Sequence, residues 1–254
     1  MSANAILLTV SRLSKNFGGV QAVSDVSFGI QKGEILGIIG PNGSGKTTLV
    51  NLITGFVKPS KGQVVYEGKD ITGWKAYKVI RLGLARTFQM VKPFYSLPAY
   101  KNLIIPLYSP RIKKVLGERY GNLDAMALDY LETVGFERDA FVAYKDASVL
   151  PQGYLKRLEL AKAMALKPNL IILDEIFSGL SLSEVASIVP IISKLAYEGM
   201  AIIMIEHRLR ELFRISNRII ALNFGQKIAE GKPSDVMANE EVQKAYLGAE
   251  VEFA

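Results

Sequence analysis

The 254-residue chain contains no cysteine, a single histidine, and no long apolar run. Without cysteine, it can form neither a disulfide nor a thiolate metal site. With His207 as its one histidine, it cannot assemble a metal site from several histidines. Its apolar runs, such as residues 35–40 and 201–205, are far shorter than the ~20 residues of a membrane-spanning helix. The N-terminus lacks the basic region of a signal peptide, so we expect a cytosolic protein that reaches a membrane only through a partner.

The charge balance is basic, with 31 lysines and arginines against 24 aspartates and glutamates, a formal net charge of +7. Such an excess is compatible with nucleic acid, nucleotides or an anionic membrane as partners. The basic residues are scattered, with only short clusters such as residues 111–114, which favours an ordinary solvated surface and no nucleic-acid partner. The length suits one α/β domain, or one domain with a smaller lobe.

Short segments rich in β-branched residues predict strands that alternate with helices. The predicted strands are residues 6–13, 20–30, 34–39, 63–67, 84–89, 170–173, 201–205, 218–222 and 226–230. The predicted helices are residues 46–54, 79–82, 124–134, 155–166 and 183–198. We expect Pro190 to kink or split the last of these helices.

The pattern predicts an α/β fold with a mainly parallel central sheet. The runs 170–173 and 201–205 are apolar throughout, as expected of central parallel strands that are buried on both faces. Residues 90–149 contain four prolines and helix-like stretches, which indicates a helical lobe inserted into the sheet domain. For the segments before residue 40 we expect an antiparallel β region at the N-terminus.

Residues 40–47 fit the G-x-x-x-x-G-K-[ST] pattern of a phosphate-binding loop. The glycines let the backbone N–H groups point at phosphate, and the helix that follows presents its positive end to the same anion. Lys46 is expected to reach the β- and γ-phosphates, and the hydroxyl of Thr47 is expected to hold Mg²⁺. The predicted nucleotide-binding residues of this loop are Asn42, Gly43, Ser44, Gly45, Lys46, Thr47 and Thr48.

Two carboxylates follow the apolar strand 170–173. Asp174 at the strand end suits the Mg²⁺ shell, and Glu175 is placed to accept a proton from an attacking water. An acidic strand end that merely faces solvent is the alternative, and the nearby phosphate-binding loop favours the catalytic interpretation.

Three further residues are candidates for the same site. His207 follows the strand 201–205, and because ligands gather at the carboxyl ends of parallel strands, we expect it to contact the γ-phosphate rather than serve a structural role. Gln89 ends a predicted strand, and its amide could ligate Mg²⁺ or position water. The ring of Phe17 could stack on adenine or pack in the core; the sequence favours neither.

Taken in this order, these elements resemble the ATP-binding subunits of ABC transporters over essentially the whole chain. Phe17 matches the family's aromatic position, residues 40–47 match Walker A, and Gln89 matches the Q-loop. Residues 170–175 match Walker B, residues 178–181 match the D-loop, and His207 matches the switch histidine. Its signature segment matches Leu150, Pro151, Gln152, Gly153 and Tyr154. The resemblance implies a P-loop NTPase fold, ATP and Mg²⁺ as cofactors, and catalytic roles for Lys46, Gln89, Glu175 and His207. It also implies a nucleotide-binding core formed by residues 1–89 and 168–254, with residues 90–167 as the helical lobe.

Three stretches, residues 83–89, 229–233 and 242–248, resemble the ATPase subunits of branched-chain amino acid importers. The resemblance therefore implies permease subunits as partners and, indirectly, a substrate-binding protein, with the chain on the cytoplasmic face of the membrane. The lipopolysaccharide-export ATPases are near relatives and typically have a shorter insert. One alternative is a soluble ABC protein without a membrane partner, but such proteins usually carry two such domains or a coiled-coil insert, and this sequence shows neither. Another alternative is a P-loop kinase, which would lack the signature and the switch histidine that this sequence has.

The signature segment departs from the family pattern. Pro151 replaces the usual serine and Tyr154 the usual glutamine, while Gly153 is kept. Proline offers neither a hydroxyl nor an N–H, although it is acceptable in the first turn of a helix. Ser181 also replaces the aspartate at the end of the D-loop. These departures favour a heterodimer with a second ATPase subunit over a homodimer.

Overall fold

The computed structural model describes residues 6–117, 121–137 and 141–246 and contains two sheets. The N-terminal sheet is antiparallel, with strand order β2-β1-β4-β5. Its strands are β1 (Ile6–Phe17), β2 (Val20–Gln31), β4 (Lys61–Tyr66) and the two-residue β5 (Lys69–Asp70). The antiparallel N-terminal region expected from the sequence is therefore present.

The central sheet has six strands in the order β10-β9-β3-β8-β7-β6. Its strands are β3 (Ile35–Ile39), β6 (Leu84–Arg86), β7 (Leu170–Asp174), β8 (Ala201–Ile205), β9 (Arg218–Asn223) and β10 (Gln226–Gly231). All neighbouring pairs are parallel except β9 and β10, so the strands β3, β6, β7 and β8 end at the same edge. This confirms the predicted mainly parallel sheet.

Helices connect these strands and flank both faces of the sheet. They are α1 (Lys46–Ile53), α2 (Ala76–Leu82), α3 (Ile104–Leu107), α4 (Pro110–Leu116), α5 (Leu123–Thr133), α6 (Gln152–Met164), α7 (Leu182–Tyr197), α8 (Leu209–Ile215), α9 (Pro233–Met237) and α10 (Glu240–Tyr246). None of the helices in the described ranges is long and apolar enough to span a membrane. In the predicted tail motif 242–248, residues 247 and 248 lie outside the described ranges.

Alternate residues of the central strands face two separate clusters of buried side chains. Leu36, Ile172 and Ile203 belong to the cluster shared with the N-terminal sheet and α1. Ile171 and Met204 belong to the cluster shared with α6, α7 and the helices between β6 and β7. Burial on both faces explains why these strands are apolar throughout.

One predicted strand end and one predicted helix interruption were wrong. The strand predicted at 84–89 ends at Arg86, because only the N–H of Thr87 still bonds to the neighbouring strand, at Ile172. The predicted kink or split at Pro190 does not divide α7, which runs unbroken from Leu182 to Tyr197. Pro190 and residue 186 are both exposed, so the carbonyl that proline leaves without an N–H donor can bond to water.

Candidate functional site

The loop between β3 and α1 is shaped by glycines that no other residue could replace. Gly40 has φ +153°, and a Cβ there would lie 2.2 Å from the carbonyl oxygen of Leu222. Gly45 has φ +100°, and its Cβ would lie 2.5 Å from the carbonyl oxygen of Ala22. Such distances are prohibitive, so the loop keeps its course only with glycine at both positions.

The same loop presents groups suited to an anion. Gly43 has φ +79°, and nothing lies within 4 Å of where its Cβ would be, so its backbone faces open space. The hydroxyl of Ser44 is buried without a hydrogen-bond partner among the described residues. Helix α1 has no acidic residue in its own first turn, so the helix itself places no carboxylate beside its positive end. Backbone and hydroxyl donors of this kind fit a phosphate group.

Lys46 lies at the start of α1 and is 7% exposed. Its Nζ donates hydrogen bonds to the carbonyl oxygens of Gly40 at 2.7 Å and Pro41 at 3.0 Å. Burial lowers the pKa of Lys46, while the nearby carboxylates of Glu175 and Asp174 act to raise it. The ammonium therefore contacts the phosphate-binding loop and lies near enough to the two predicted acids to interact with their charges.

Asp174 ends β7 and forms a buried ion pair that the sequence did not predict. Its Oδ2 lies 2.6 Å from Nη2 of Arg86, and both side chains are less than a tenth exposed. Nη1 of Arg86 also donates to Oδ1 of Asn51 in α1 at 2.6 Å. The hydroxyl of Thr87 accepts from the backbone N–H of Asp174 at 3.2 Å. Arg86, itself held by Asn51, therefore fixes the carboxylate, and Thr87 holds the backbone of the same residue.

Glu175 lies between the two other predicted residues. Nε2 of Gln89 donates to one carboxylate oxygen at 2.7 Å, and Nε2 of His207 lies 3.1 Å from the other. The imidazole is half exposed, while the Glu175 side chain is 16% exposed. The structure thus brings together Gln89, Glu175 and His207 at one edge of the sheet, although Gln89 lies three residues beyond the end of β6.

Two buried ionisable residues complete the cluster and were missed in the sequence. Lys156 of α6 donates to the carbonyl oxygens of Gln89 and Glu175. Oε1 of Glu206 accepts from the backbone N–H of Phe177 at 3.0 Å. Burial raises the pKa of Glu206 to about 8. Both residues adjoin recognised motifs. Glu206 directly follows the apolar run 201–205, which was an available signal, whereas Lys156 is one of several charged residues of its helix.

The signature segment contacts other parts of the chain. Pro151 precedes α6 and is exposed, and it supplies no side-chain cap to that helix. The ring of Tyr154 packs edge-on against Phe136, with centroids 5.0 Å apart. A Cβ on Gly153 would lie 2.3 Å from Oε1 of Glu184, the residue that closes the capping box of α7. Tyr154 therefore serves packing within the helical region.

Phe17 lies at the end of β1, in the hairpin whose second strand approaches Gly45. Its ring is 49% exposed, and Nζ of Lys15 lies 5.0 Å from the ring centroid. The exposure argues against the core-packing alternative. Adenine stacking remains a prediction.

The residues of the edge are suited to Mg²⁺ as well as to phosphate. Asp174 offers a carboxylate, the exposed Thr47 offers a hydroxyl, and the amide oxygen of Gln89 remains after its Nε2 has bonded to Glu175. Such hard oxygen donors are what Mg²⁺ prefers, usually together with water and substrate phosphates.

Comparison with family models agrees with this geometry. Residues 23–178, more than half of the chain, match the model described as ABC transporter. Residues 226–252 match the model described as branched-chain amino acid ATP-binding cassette transporter.

Individual relatives match over nearly the whole chain. One is the high-affinity branched-chain amino acid transport ATP-binding protein BraF of Pseudomonas aeruginosa, 34% identical over 252 residues, with 95% of this chain and 98% of that protein covered. Another is the probable branched-chain amino acid transport ATP-binding protein LivG of Archaeoglobus fulgidus, 34% identical over 258 residues and 96% of each. Among solved structures, a nucleotide-free ATP-binding cassette from an ABC transporter superposes with a TM-score of 0.84 at 30% identity, covering 96% of this chain and 100% of that one.

Proposed function

Because this chain belongs to the ABC transporter family, as an ATP-binding cassette, we propose that it is the ATP-hydrolysing motor subunit of such a transporter. The observation that carries the proposal is the convergence of Lys46, Asp174, Glu175, Gln89 and His207 at one edge of the central sheet. An isolated phosphate-binding loop would serve many nucleotide-binding proteins. A loop joined by a fixed carboxylate, a second carboxylate and a histidine is suited to hydrolysis.

In this proposal the loop residues 42–48 hold the ATP phosphates. Backbone N–H groups and the Ser44 hydroxyl donate to phosphate oxygens, and the Lys46 ammonium supplies a counter-charge for the β- and γ-phosphates. The exposed ring of Phe17 stacks on adenine. Thr47, Asp174 and Gln89 hold Mg²⁺, which when bound neutralises the charge that develops on the phosphates.

Glu175 acts as the general base. Its carboxylate accepts the proton of the attacking water, while Gln89 and His207 hold the carboxylate from either side at 2.7 and 3.1 Å. His207 in addition donates to the γ-phosphate when nucleotide is bound. Arg86 orients Asp174 and supplies its counter-charge, because a carboxylate buried to this degree needs a paired cation.

The transported solute is proposed to be a branched-chain amino acid or a similar small solute. The support is the match of residues 226–252 and the names of the relatives, since a cassette does not itself touch the cargo. We propose permease subunits as partners, with a substrate-binding protein acting through them, at the cytoplasmic face of the membrane. Residues 90–167 form the helical lobe of this scheme, and residues 1–89 and 168–254 form the nucleotide-binding core.

The region beside Gln89 suits the permease contact. Phe56, Phe88, Met90 and Phe94 are each about half exposed or more, which is unusual for neighbouring large apolar side chains on a water-facing surface. A permease bound to this apolar surface would be coupled, through Gln89, to the position of Glu175.

Titration with Mg-ATP of the Lys46→Ala variant tests the nucleotide assignment. Losing one or two charge-assisted hydrogen bonds, each worth roughly 1.5–3 kcal/mol, is expected to weaken binding at least ~10-fold. Lys32→Ala, an exposed lysine just before β3, is the matched control and should bind as the unmodified chain does. An affinity for Lys46→Ala equal to that of the control would contradict the proposal.

A further inference from the structure

Lys156 is a buried lysine on the helix that carries the signature segment. It is 2% exposed, and it lies four residues after Gln152, the first residue of α6. Its Nζ donates to the carbonyl oxygen of Gln89 at 2.9 Å and to that of Glu175 at 3.0 Å. One ammonium therefore connects the signature helix to the segments after β6 and β7 that supply the amide partner and the base.

Burial of this ammonium is costly and needs compensation. Desolvation lowers the pKa of Lys156, and the carboxylates of Glu206, Glu175, Glu159 and Asp174 act to raise it. A lysine whose only role was packing would be replaced without loss by an apolar residue of similar length. Its two hydrogen bonds to the carbonyl oxygens of Gln89 and Glu175 compensate for burial of the charge, which an apolar side chain would not need.

The backbone of Glu175 is where the ammonium acts. Glu175 has φ 52°, in the left-handed region that non-glycine residues rarely adopt. Its N–H donates to the carbonyl oxygen of Ile205 at 2.9 Å, and its carbonyl oxygen accepts from Lys156. Both main-chain polar groups are thus held, one by β8 and one by α6. Such over-determination is what lets a strained backbone conformation persist.

We propose that Lys156 is a positioning residue for ATP hydrolysis, which from the signature helix fixes the backbone of Gln89 and Glu175 and so aims the catalytic carboxylate. The inference rests on the proposed function and deepens it. It also implies a coupling within one chain, since a shift of α6 would move the ammonium away from these carbonyls. The position of the helical lobe would then control the geometry of the base directly, in addition to any contact that the signature makes across a dimer.

The test compares Lys156→Met with the unmodified full-length chain. Methionine keeps a flexible apolar side chain in the buried site and removes the donors. The turnover number for Mg-ATP is expected to fall ~10-fold or more, with KM for ATP within about threefold of that of the unmodified chain. The reason is that the variant misplaces the carboxylate of Glu175 but loses no contact to ATP. Lys156→Gln, which keeps one donor, is the second variant and should retain an intermediate turnover.

Lys194→Met is the matched control. Lys194 lies on α7, its side chain is 69% exposed, and its Nζ lies 3.9 Å from a carboxylate oxygen of Glu198. The substitution removes the same charge from a helix that, in the described part of the chain, shares no ion pair with Lys156, so turnover should remain within about twofold of that of the unmodified chain.

Amide hydrogen exchange supplies a readout that loss of general stability would not reproduce. In Lys156→Met, residues 174–177 are expected to exchange at least about threefold faster, with α6 and β8 unchanged, since the released carbonyl lets the strained segment open. Turnover and exchange equal to those of the unmodified chain would overturn the inference while leaving the proposed function intact. Failure of the unmodified chain itself to bind Mg-ATP would instead contradict the proposed function.

Discussion

Glu206 is a buried acid beside the switch histidine, and its ionisation makes stability depend on pH. It is 3% exposed, and burial is the first cause that raises its pKa from 4.5 to about 8. The nearby carboxylate of Glu175 raises this pKa further, while Lys156 and the backbone N–H groups of Ile176 and Phe177 lower it. The folded chain therefore binds this proton more tightly than the unfolded chain does. The stabilisation is complete below about pH 4.5 and is lost as the pH rises towards 8.

Glu206→Gln should remove this dependence. The amide oxygen still accepts from Phe177, and no charge has to be buried as the pH rises. Between pH 6 and 8 the unmodified chain should lose up to about 1.4 kcal/mol of unfolding free energy per pH unit more than the variant does. Urea unfolding at the two pH values measures the difference. Glu137→Gln, at an exposed position, is the control, and equal slopes for all three chains would refute the assignment.

Local sequence identified the phosphate-binding loop, the two acids and His207 because each lies within a short motif at the end of an apolar strand. The same reasoning missed Arg86 and Lys156, whose partners are 88 and 19 residues away in the chain. No local pattern specifies that an arginine in β6 meets an aspartate in β7. That contact follows from the parallel pairing of the two strands, which brings Arg86 opposite Ile172.

At the scale of elements, the apolar pattern located all six strands of the central sheet, and its errors were at the strand ends. Phe88 continues the apolar pattern of β6, yet it lies outside the sheet, with its ring edge-on to Phe56 at 5.7 Å between centroids. Periodicity does not distinguish a side chain that extends a strand from one that covers a loop.

Helix α7 shows the opposite error, in which a local rule was too strict. Its N-terminus is fixed by the capping box of Ser181 and Glu184, and its apolar face packs in the main core through Val185, Ile188 and Ile192. Packing of this face offsets the hydrogen bond that Pro190 removes, so tertiary contacts override the intrinsic preference against proline. The sequence shows the proline, but it does not show which face of α7 packs in the core and keeps the helix continuous.

At the scale of the whole molecule, the altered signature segment bears on whether the second ATPase subunit is another copy of this chain or a different protein. In the family that this chain resembles, each ATP lies between the Walker A of one subunit and the signature of the other. A homodimer would place Pro151 at both sites, whereas a heterodimer would place it at one. Losing one or two phosphate hydrogen bonds, at roughly 1.5–3 kcal/mol each, would weaken closure of that site ~10-fold or more. We therefore propose a heterodimer with one competent and one impaired site.

Restoring the family residues tests this proposal. The isolated chain should bind Mg-ATP as a monomer and hydrolyse it slowly. Pro151→Ser combined with Tyr154→Gln should raise its ATPase rate about 10-fold, because homodimers gain the missing phosphate contacts. Pro151→Ala with Tyr154→Gln is the control, since it removes the proline without supplying the hydroxyl. Rapid turnover by the unmodified chain, or no gain over the control, would count against the asymmetric arrangement.

Glu175→Gln is the most direct test of the proposal that Glu175 is the general base for ATP hydrolysis at the edge of the central sheet. Glutamine keeps the size of the side chain but cannot take the proton of the attacking water. Mg-ATP affinity and single-turnover hydrolysis are measured on the same preparation of the full-length chain. We expect an affinity within about threefold of that of the unmodified chain and hydrolysis slower by ~100-fold or more. Hydrolysis at the unmodified rate would contradict the assignment of Glu175 as the base.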